Sequence, residues 1–297
     1  MQELRMEYKE ITVKSALHYH ESEMPCHWDV NVYRGCGHGC RYCFAQYSHD
    51  YLDSGDFFGE IFVKRNIAEV LDRELSKKSW KKTLVNLAGV TDSYQPAEAH
   101  YRLMPGVLKV LIKHRNPIVL TTKSSLILRD IDLVRELASV TSVSIGTSIT
   151  MMDENLRRII EPGASPANER FQVLKECKDA GCRVNILLTP VLPYLTDSIE
   201  NMEEIYRLAA SIGVNGISPW PLNLKGSTKR KFFSFLSFHF PALLADYRQL
   251  YTRWHVDALY ENELRKQVMF LRQKYGIPGI SLPLVEQPRE TIQLSLF

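Results

Sequence analysis

The distribution of apolar and polar positions divides most of the chain into two alternating kinds of segment. Short apolar runs, several of them β-branched, alternate with longer stretches in which apolar residues recur at helical spacing. The predicted strands cover residues 84–88, 118–122, 142–146, 184–190 and 215–219, and the predicted helices cover residues 96–114, 130–139, 165–180 and 198–211. The strand segments are apolar enough to be buried on both faces, as parallel strands are. Because crossovers of one hand place the helices outside, the pattern predicts an α/β parallel barrel or partial barrel.

The pattern changes near residue 223, where a basic and then phenylalanine-rich segment begins. We therefore expect an N-terminal extension at 1–29, the barrel at 30–222, the basic and aromatic segment with C-terminal helices at 223–275, and an extended tail at 276–297. Residues 241–275 are predicted to form one long helix or two consecutive helices. The length of 297 residues suits one large catalytic domain with such appendages.

Composition narrows the class of protein. With 45% hydrophobic and 24% charged residues and no apolar run of membrane-spanning length, the chain is expected to be soluble. The first residues, MQELRMEYKEITVKS, lack the apolar stretch of a secretory signal, so we expect a cytoplasmic, reducing location. Cysteines there serve as ligands, reactive thiols or core residues. A net charge of +3 is too small to indicate a nucleic-acid partner without a local basic patch.

Three cysteines are closely spaced in the segment NVYRGCGHGCRYCFAQ. Cys36, Cys40 and Cys43 have the spacing C-x3-C-x2-C, with glycines between them that allow a tight loop. Soft thiolates at this spacing favour zinc or an iron–sulfur cluster. A closed zinc site needs a fourth ligand, for which Cys26 or His38 is available, so zinc remains the alternative. Three thiolates leave one iron of a 4Fe-4S cluster open to a small ligand.

The cysteine spacing resembles the signature of the radical S-adenosylmethionine (SAM) superfamily, C-x3-C-x-aromatic-C, in which Tyr42 is the aromatic residue. This resemblance implies that the amino and carboxylate groups of SAM chelate the open iron. It also implies that one-electron reduction, from a donor such as flavodoxin or ferredoxin, cleaves SAM to methionine and a 5'-deoxyadenosyl radical. The radical then abstracts a hydrogen atom from a substrate.

From residue 13 to about residue 221 the chain also resembles the spore photoproduct lyase-like branch of that superfamily. The motifs are NVYRGCGHGCRYCFA, GVTDSYQPAE, TTKSSLILRD, IEPGASP and TPVLPYLTD. The resemblance implies a partial (β/α)6 barrel with a C-terminal helical appendage. It also implies that Thr91 and Asp92 hold the methionine amino group of SAM, that Lys123 meets its carboxylate, and that Ser148 hydrogen-bonds its ribose.

The chain departs from authentic spore photoproduct lyases at the groups that return a hydrogen atom. Where those enzymes have a cysteine before the threonine–aspartate pair and a tyrosine after the third cluster cysteine, this chain has Gly89-Val90 and Phe44. We therefore expect a reaction other than photoproduct repair by that route. Tyr94 and Cys26 are the candidate substitutes for the missing groups.

The basic segment contains Lys225, Lys229, Arg230 and Lys231, followed by five phenylalanines. Cations beside aromatic faces are typical of a nucleic-acid contact. A solvated loop leading into a helix whose phenylalanines pack on the barrel explains the composition equally well. The sequence leaves both interpretations open.

The chain ends in QLSLF, formed by Gln293, Leu294, Ser295, Leu296 and Phe297. This pentapeptide is similar to the peptide that binds the bacterial DNA polymerase sliding clamp, in which two apolar anchors enter a hydrophobic pocket. The alternative is a tail that folds onto its own domain.

The leading hypothesis is a radical SAM enzyme acting on DNA at the clamp. The others are a radical SAM enzyme modifying RNA, peptide or a small molecule, and a non-catalytic zinc- or cluster-bearing DNA-binding adaptor.

Overall fold

A computed structural model describes residues 6–21, 26–49 and 56–280. The strands in these ranges are β1 Glu7–Ile11, β2 Leu17–Tyr19, β3 Trp28–Val30, β4 Tyr33–Arg34, β5 Glu60–Lys64, β6 Val85–Asn86, β7 Ile118–Thr122, β8 Val143–Ser148, β9 Arg183–Val191 and β10 Gly216–Pro221. The helices are α1 Ile67–Leu75, α2 Pro96–Tyr101, α3 Met104–His114, α4 Ile131–Val140, α5 Glu154–Ile160, α6 Ala167–Asp179, α7 Ile199–Ile212, α8 Ser227–His239, α9 Leu244–Leu250 and α10 Ala258–Tyr275. Short 3-10 helices cover Phe44–His49, Ser125–Asp130 and Pro241–Leu243.

The large sheet has the order β10-β9-β8-β7-β6-β3-β2. Every neighbouring pair from β3 to β10 is parallel, whereas β2 is antiparallel to β3 at one edge. Six parallel strands joined by helical crossovers confirm the predicted α/β partial (β/α)6 barrel with its C-terminal helices. Because parallel strands end at the same edge, the loops that follow them share one side of the molecule, where such folds place their sites.

The core lies where the strands meet the helices. Buried residues such as Val85, Ile145 and Ile186 from the strands pack in one cluster with Leu111, Leu137 and Leu174 from the helices. Burial of this continuous apolar layer is the main force that holds the strands in register. None of the helices in the described ranges is long and apolar enough to cross a lipid bilayer.

A second sheet, with the order β1-β5-β4, stands beside the barrel. Strand β1 comes from the predicted N-terminal extension and pairs with β5 in parallel, while β4 leads directly into the cysteine segment. The N-terminal residues therefore form part of the support for that segment. Strand β3 begins at Trp28, two residues before the expected start of the barrel.

The helix predicted over residues 96–114 is two helices. Helix α2 ends at Tyr101, the following Arg102 adopts a left-handed conformation with φ of 51°, and Pro105 lies in the first turn of α3. Because proline lacks the backbone N–H that a continuous helix requires, the chain turns between the two. The helices between 241 and 275 are likewise two, α9 and α10.

The end of the described chain covers the edge of the large sheet. Ile217 N in β10 donates to Pro278 O at 3.0 Å, and a Cβ on Gly216 would meet Gly279 O at 2.8 Å. Residues 276–280, predicted to begin an extended tail, therefore shield the outermost strand from further pairing. The clamp-like pentapeptide at 293–297 lies outside the described residues.

Candidate active site

The three clustered cysteines occupy a loop, residues 35–43, here called the cysteine loop, that follows β4. Cys36 and Cys40 are buried, Cys43 is half-buried, and all three are free thiols. They are close enough for Cys36 and Cys43 each to act electrostatically on the Cys40 thiol. Burial raises the pKa of Cys36 to about 12, so a metal must displace a proton from it. Among the described residues, no group of three His, Cys, Asp or Glu side chains is arranged to hold a single metal ion.

The loop offers three thiolates and no fourth ligand from the zinc candidates. His38 has both ring nitrogens engaged, Nδ1 with Gly163 O at 2.8 Å and Nε2 with Asp92 Oδ2 at 3.0 Å. Because both ring nitrogens are already engaged, neither is free to bind a metal. This donor set fits a 4Fe-4S cluster with one open iron better than a closed zinc site.

Asp92 ties the cysteine loop to the end of β7. Its carboxylate accepts four hydrogen bonds, two of them from backbone N–H groups and the others from His38 and Thr122. Burial by itself would raise the pKa of Asp92, but the His38 ring and the N–H of Lys123 outweigh it and lower the pKa to about 2. The four bonds occupy the lone-pair positions of the carboxylate. Asp92 therefore positions the loop, and contact with the SAM ammonium stays a prediction.

Thr91 and Gln95 hold the backbone of the same loop through hydrogen bonds. Thr91 Oγ1 donates to Gly35 O at 2.6 Å. The fully buried Gln95 amide donates to Gly35 O at 3.0 Å and accepts from Gly37 N at 2.8 Å. Gly35 has φ of 83°, a conformation that glycine adopts without strain. The second-strand motif TDSYQP thus holds the loop backbone through its threonine and glutamine.

A buried ion pair supports the other side of the loop. The Tyr42 hydroxyl donates to Glu161, and Arg170 Nη2 donates to the second oxygen of Glu161 at 2.5 Å. Burial favours the neutral acid, but the Arg170 guanidinium keeps the pKa of Glu161 below its usual range. A Cβ on Gly163 would meet Gly37 O at 2.6 Å, so the turn after Glu161 packs directly on the cysteine loop.

Lys123 and Ser148 lie at the same edge as the cysteine loop. Lys123 follows β7, and its Nζ lies 5.8 Å from the centre of the Tyr42 ring. Its ammonium also acts electrostatically on the Cys40 and Cys43 thiols. Ser148 is the buried last residue of β8, and its carbonyl accepts from Arg170 Nη1 at 2.6 Å. Both remain predicted contacts of SAM, one for its carboxylate and one for its ribose.

The two candidate hydrogen donors, Cys26 and Tyr94, are both buried. Cys26 precedes β3, and its thiol contacts Leu84 O at 3.2 Å, just before β6, so it lies at the amino ends of the strands. The Tyr94 hydroxyl is completely buried and donates to Asp130 Oδ2 at 3.2 Å. The hypothesis that either replaces the missing relay groups stays a prediction. Each is held in the interior by its own hydrogen bond.

The predicted basic patch is divided by the structure. Lys229 Nζ donates to Tyr251 O at 2.6 Å and to the two following carbonyls, which connects α8 to the turn after α9. Lys225 and Arg230 are exposed, whereas Lys231 turns toward the cysteine loop. The segment is therefore a packed helix, and Lys229 acts within it as a structural cation.

Sequence reasoning missed Gln95, Glu161 and Arg170. Gln95 and Glu161 lie inside the motifs TDSYQP and IEPGASP, but a polar residue in a motif does not reveal that it contacts the loop. Arg170 lies outside both motifs, in a helix that sequence patterns treat as amphipathic. Only the fold brings these side chains under the cysteines.

The fold and the site together define a barrel enzyme whose three-cysteine loop holds an iron–sulfur cluster at the carboxyl ends of the strands. The model of the radical SAM superfamily matches residues 30–209. The chain belongs to that superfamily, whose members use a 4Fe-4S cluster and SAM.

The chain is also similar to other proteins in sequence and to solved structures in fold. An uncharacterised protein of Mycobacterium tuberculosis is 36% identical over 302 residues, which cover 98% of this chain and 88% of that protein. An uncharacterised protein of Acidianus two-tailed virus is 28% identical over an alignment that covers 85% of this chain and 81% of the viral protein. A spore photoproduct lyase mutant superposes with a TM-score of 0.66 at 14% identity, over 90% of this chain and 79% of that one. SuiB of Streptococcus suis bound to SAM gives a TM-score of 0.55 at 14% identity, over 86% of this chain and 50% of the SuiB chain.

Proposed function

We propose that this radical SAM enzyme acts on DNA, in a repair-like reaction that starts with reductive cleavage of SAM. The observation that carries the DNA proposal is the pairing of cations with exposed aromatic rings beside the cysteine loop. Cys36, Cys40 and Cys43 would hold the cluster, which would supply the electron for cleavage of SAM to methionine and a 5'-deoxyadenosyl radical able to abstract a hydrogen atom from the substrate. The reaction that follows is left open.

The protein's own residues position the cofactors. Lys123 places an ammonium beside the cysteine loop, where it would pair with the SAM carboxylate. Ser148 would bind the ribose. Asp92 and Glu161 hold the loop from two sides, so that the thiols keep one orientation when the site is loaded.

The departures from spore photoproduct lyase support a different reaction. One solved structure of that enzyme contains SAM and a dinucleoside spore photoproduct. Here a Cβ at Gly89 would meet Asp29 Oδ2 at 2.0 Å, so a side chain at this position would require the Asp29 carboxylate to move. Phe44, which replaces the tyrosine after the third cysteine, carries no hydroxyl. The chain therefore lacks both relay groups, and we propose another substrate lesion or another hydrogen donor.

The partners follow from the same proposal. The QLSLF terminus would bring the enzyme to the sliding clamp, and a flavodoxin- or ferredoxin-like carrier would supply the electron. Cytoplasm is the proposed location, because three thiolates and a low-potential cluster require a reducing compartment. An enzyme that modifies RNA, peptide or a small molecule remains the alternative substrate class.

The decisive experiment is anaerobic reconstitution with iron and sulfide, followed by reduction in the presence of SAM. The wild type should bind about four irons per chain and release 5'-deoxyadenosine. Cys40→Ala should lose both. Cys182→Ala, which changes a buried cysteine away from the loop, should retain them. Retained iron and 5'-deoxyadenosine in Cys40→Ala would contradict the cluster assignment.

The substrate is then tested by adding damaged or undamaged DNA to the same assay. Damaged DNA should increase SAM cleavage and yield a modified strand. Turnover that no DNA stimulates would reject the DNA proposal while leaving the SAM chemistry in place.

A pull-down with the sliding clamp, comparing the full chain with one truncated before Gln293, tests the docking peptide. Equal recovery of both would reject it.

A further inference from the structure

A groove lies between the cysteine loop and helix α8. Its volume is about 370 Å³, and it is lined by Arg41 and Gln46 from the loop side and by Lys231 and Phe238 from the helix. The amide of Gln46 donates to Cys43 O at 3.0 Å, so the groove adjoins the third cysteine. Neither the SAM contacts predicted above nor the three thiols line it.

The groove carries positive charge that is available to a ligand. Arg41 and Lys231 form no ion pair in the part of the chain that the structure describes. The Arg41 Nε is buried and has no hydrogen-bond partner among the described residues. A buried guanidinium nitrogen without a partner is costly. The charges of Arg41 and Lys231, which line the groove, would pair with an anionic group bound there.

The groove is also bordered by aromatic rings that the fold leaves exposed. Phe238 is 81% exposed although it belongs to a packed helix, and its ring lies 4.8 Å from that of His239. Phe44 and Tyr47, on the 3-10 helix that supplies Gln46, are 59% and 45% exposed and stack on each other. Exposed flat rings beside cations have the composition of a surface that stacks bases and pairs with phosphates.

We propose that this groove binds an unpaired nucleotide of a nucleic-acid strand, with its phosphate at Arg41 and Lys231 and its base on Phe238. An unpaired nucleotide is required because the faces of the bases are covered by their neighbours in a duplex. A volume of about 370 Å³ is large enough for one nucleotide. This inference rests on the proposed function, because it takes the substrate to be a nucleic acid. It adds that the bound strand is unpaired beside the cysteine loop.

The test measures binding by fluorescence anisotropy, with a short fluorescein-labelled thymidine homopolymer and the reconstituted full-length protein. Phe238→Ala should weaken binding about tenfold, which corresponds to the loss of one stacked base. Lys231→Gln should reduce the slope of log affinity against log salt by about 0.7, the contribution of one phosphate contact on a single strand. The same sequence as a duplex should bind at least about tenfold more weakly than the single strand.

Two matched variants separate the groove from general basicity and hydrophobicity. Arg230→Gln removes a neighbouring cation of α8 that does not line the groove, and Phe270→Ala removes an exposed phenylalanine of α10. Both should leave affinity and salt slope unchanged. Equal losses in Lys231→Gln and Arg230→Gln, or in Phe238→Ala and Phe270→Ala, would overturn the assignment of the groove.

The remaining outcomes distinguish a DNA strand from an RNA strand, and a nucleic-acid strand from an electron-carrier protein. Tighter binding of an RNA strand than of DNA, with the same dependence on Phe238, keeps the groove and overturns the DNA substrate. The competing partner is the electron carrier. If Lys231→Gln and Phe238→Ala bind DNA normally but slow reduction of the cluster by reduced flavodoxin and not by dithionite, followed by absorbance, the nucleotide proposal is overturned.

Discussion

The cysteine loop has two sides that differ in almost every physical property. On the barrel side it rests on buried and fully bonded polar groups: Gln95, the His38–Asp92 pair and the Tyr42–Glu161–Arg170 chain. On the α8 side it faces a groove with exposed rings and with two cations that form no ion pair within the described ranges. The difference teaches that the first side orients the thiols, since satisfied buried networks specify one geometry. The second side is free to meet a ligand.

The largest effect is expected from breaking the buried ion pair. Glu161→Gln removes the negative charge and leaves the Arg170 guanidinium buried without a counterion. Such an uncompensated charge costs about 3–5 kcal/mol in the free energy of unfolding. Chemical denaturation monitored by circular dichroism measures the loss. A change below about 1 kcal/mol would mean that the barrel side is no more constrained than the groove side.

Two phenylalanines of the same helix give a sharper comparison. Phe232 is completely buried against Tyr247, with ring centres 5.7 Å apart, whereas Phe238 points into solvent. Phe232→Ala should cost about 3 kcal/mol through the cavity it leaves. Phe238→Ala should stay within about 0.5 kcal/mol, as surface changes do. Thermal unfolding of both variants decides, and similar losses would contradict the division of α8 into a packed and a free face.

The smallest effect concerns a buried lysine that supports the barrel side. Lys64 Nζ donates to Asn31 O at 2.7 Å, and burial, together with nearby Arg34, lowers the pKa of Lys64 to about 8. Between about pH 8 and pH 10.4 the unfolded chain holds a proton that the folded chain has lost. Stability relative to Lys64→Met should therefore rise with pH, by about 1 kcal/mol from pH 7 to pH 9. A flat difference between the two proteins in urea titrations would contradict the lowered pKa.

Much of the fold could be predicted because it follows from local patterns. Strands β7, β8 and β9 and helices α4, α6 and α7 appear within a few residues of their predicted positions. The break between α2 and α3 was missed, although Pro105 was visible, because apolar periodicity continues through it. The sequence does not predict where helix α8 begins, because its basic first residues are also typical of a solvated loop. Its helical form depends on packing Phe232 and Leu236 into a core shared with α9.

The site was predictable only in part, for the same reason. The spacing of Cys36, Cys40 and Cys43 determines by itself which kind of cluster the chain can hold, because ligand type and separation are local properties. Which polar groups support that loop is decided by tertiary structure. Asp92 and Thr91 are predicted from the sequence to hold the methionine amino group of SAM, and the fold also gives each of them a hydrogen bond to the loop, through His38 and Gly35.

The sequence by itself determined the chemistry of the ligands, the parallel α/β class and the absence of the two relay groups, since each is written in residue type and spacing. The tertiary structure decided that Cys26 lies at the far end of the strands and that Lys229 stabilises a helix end. It also decided that Lys231 and Phe238 border a groove beside Cys43. These outcomes depend on which distant segments meet, and long-range contacts are set by the packing of the whole core.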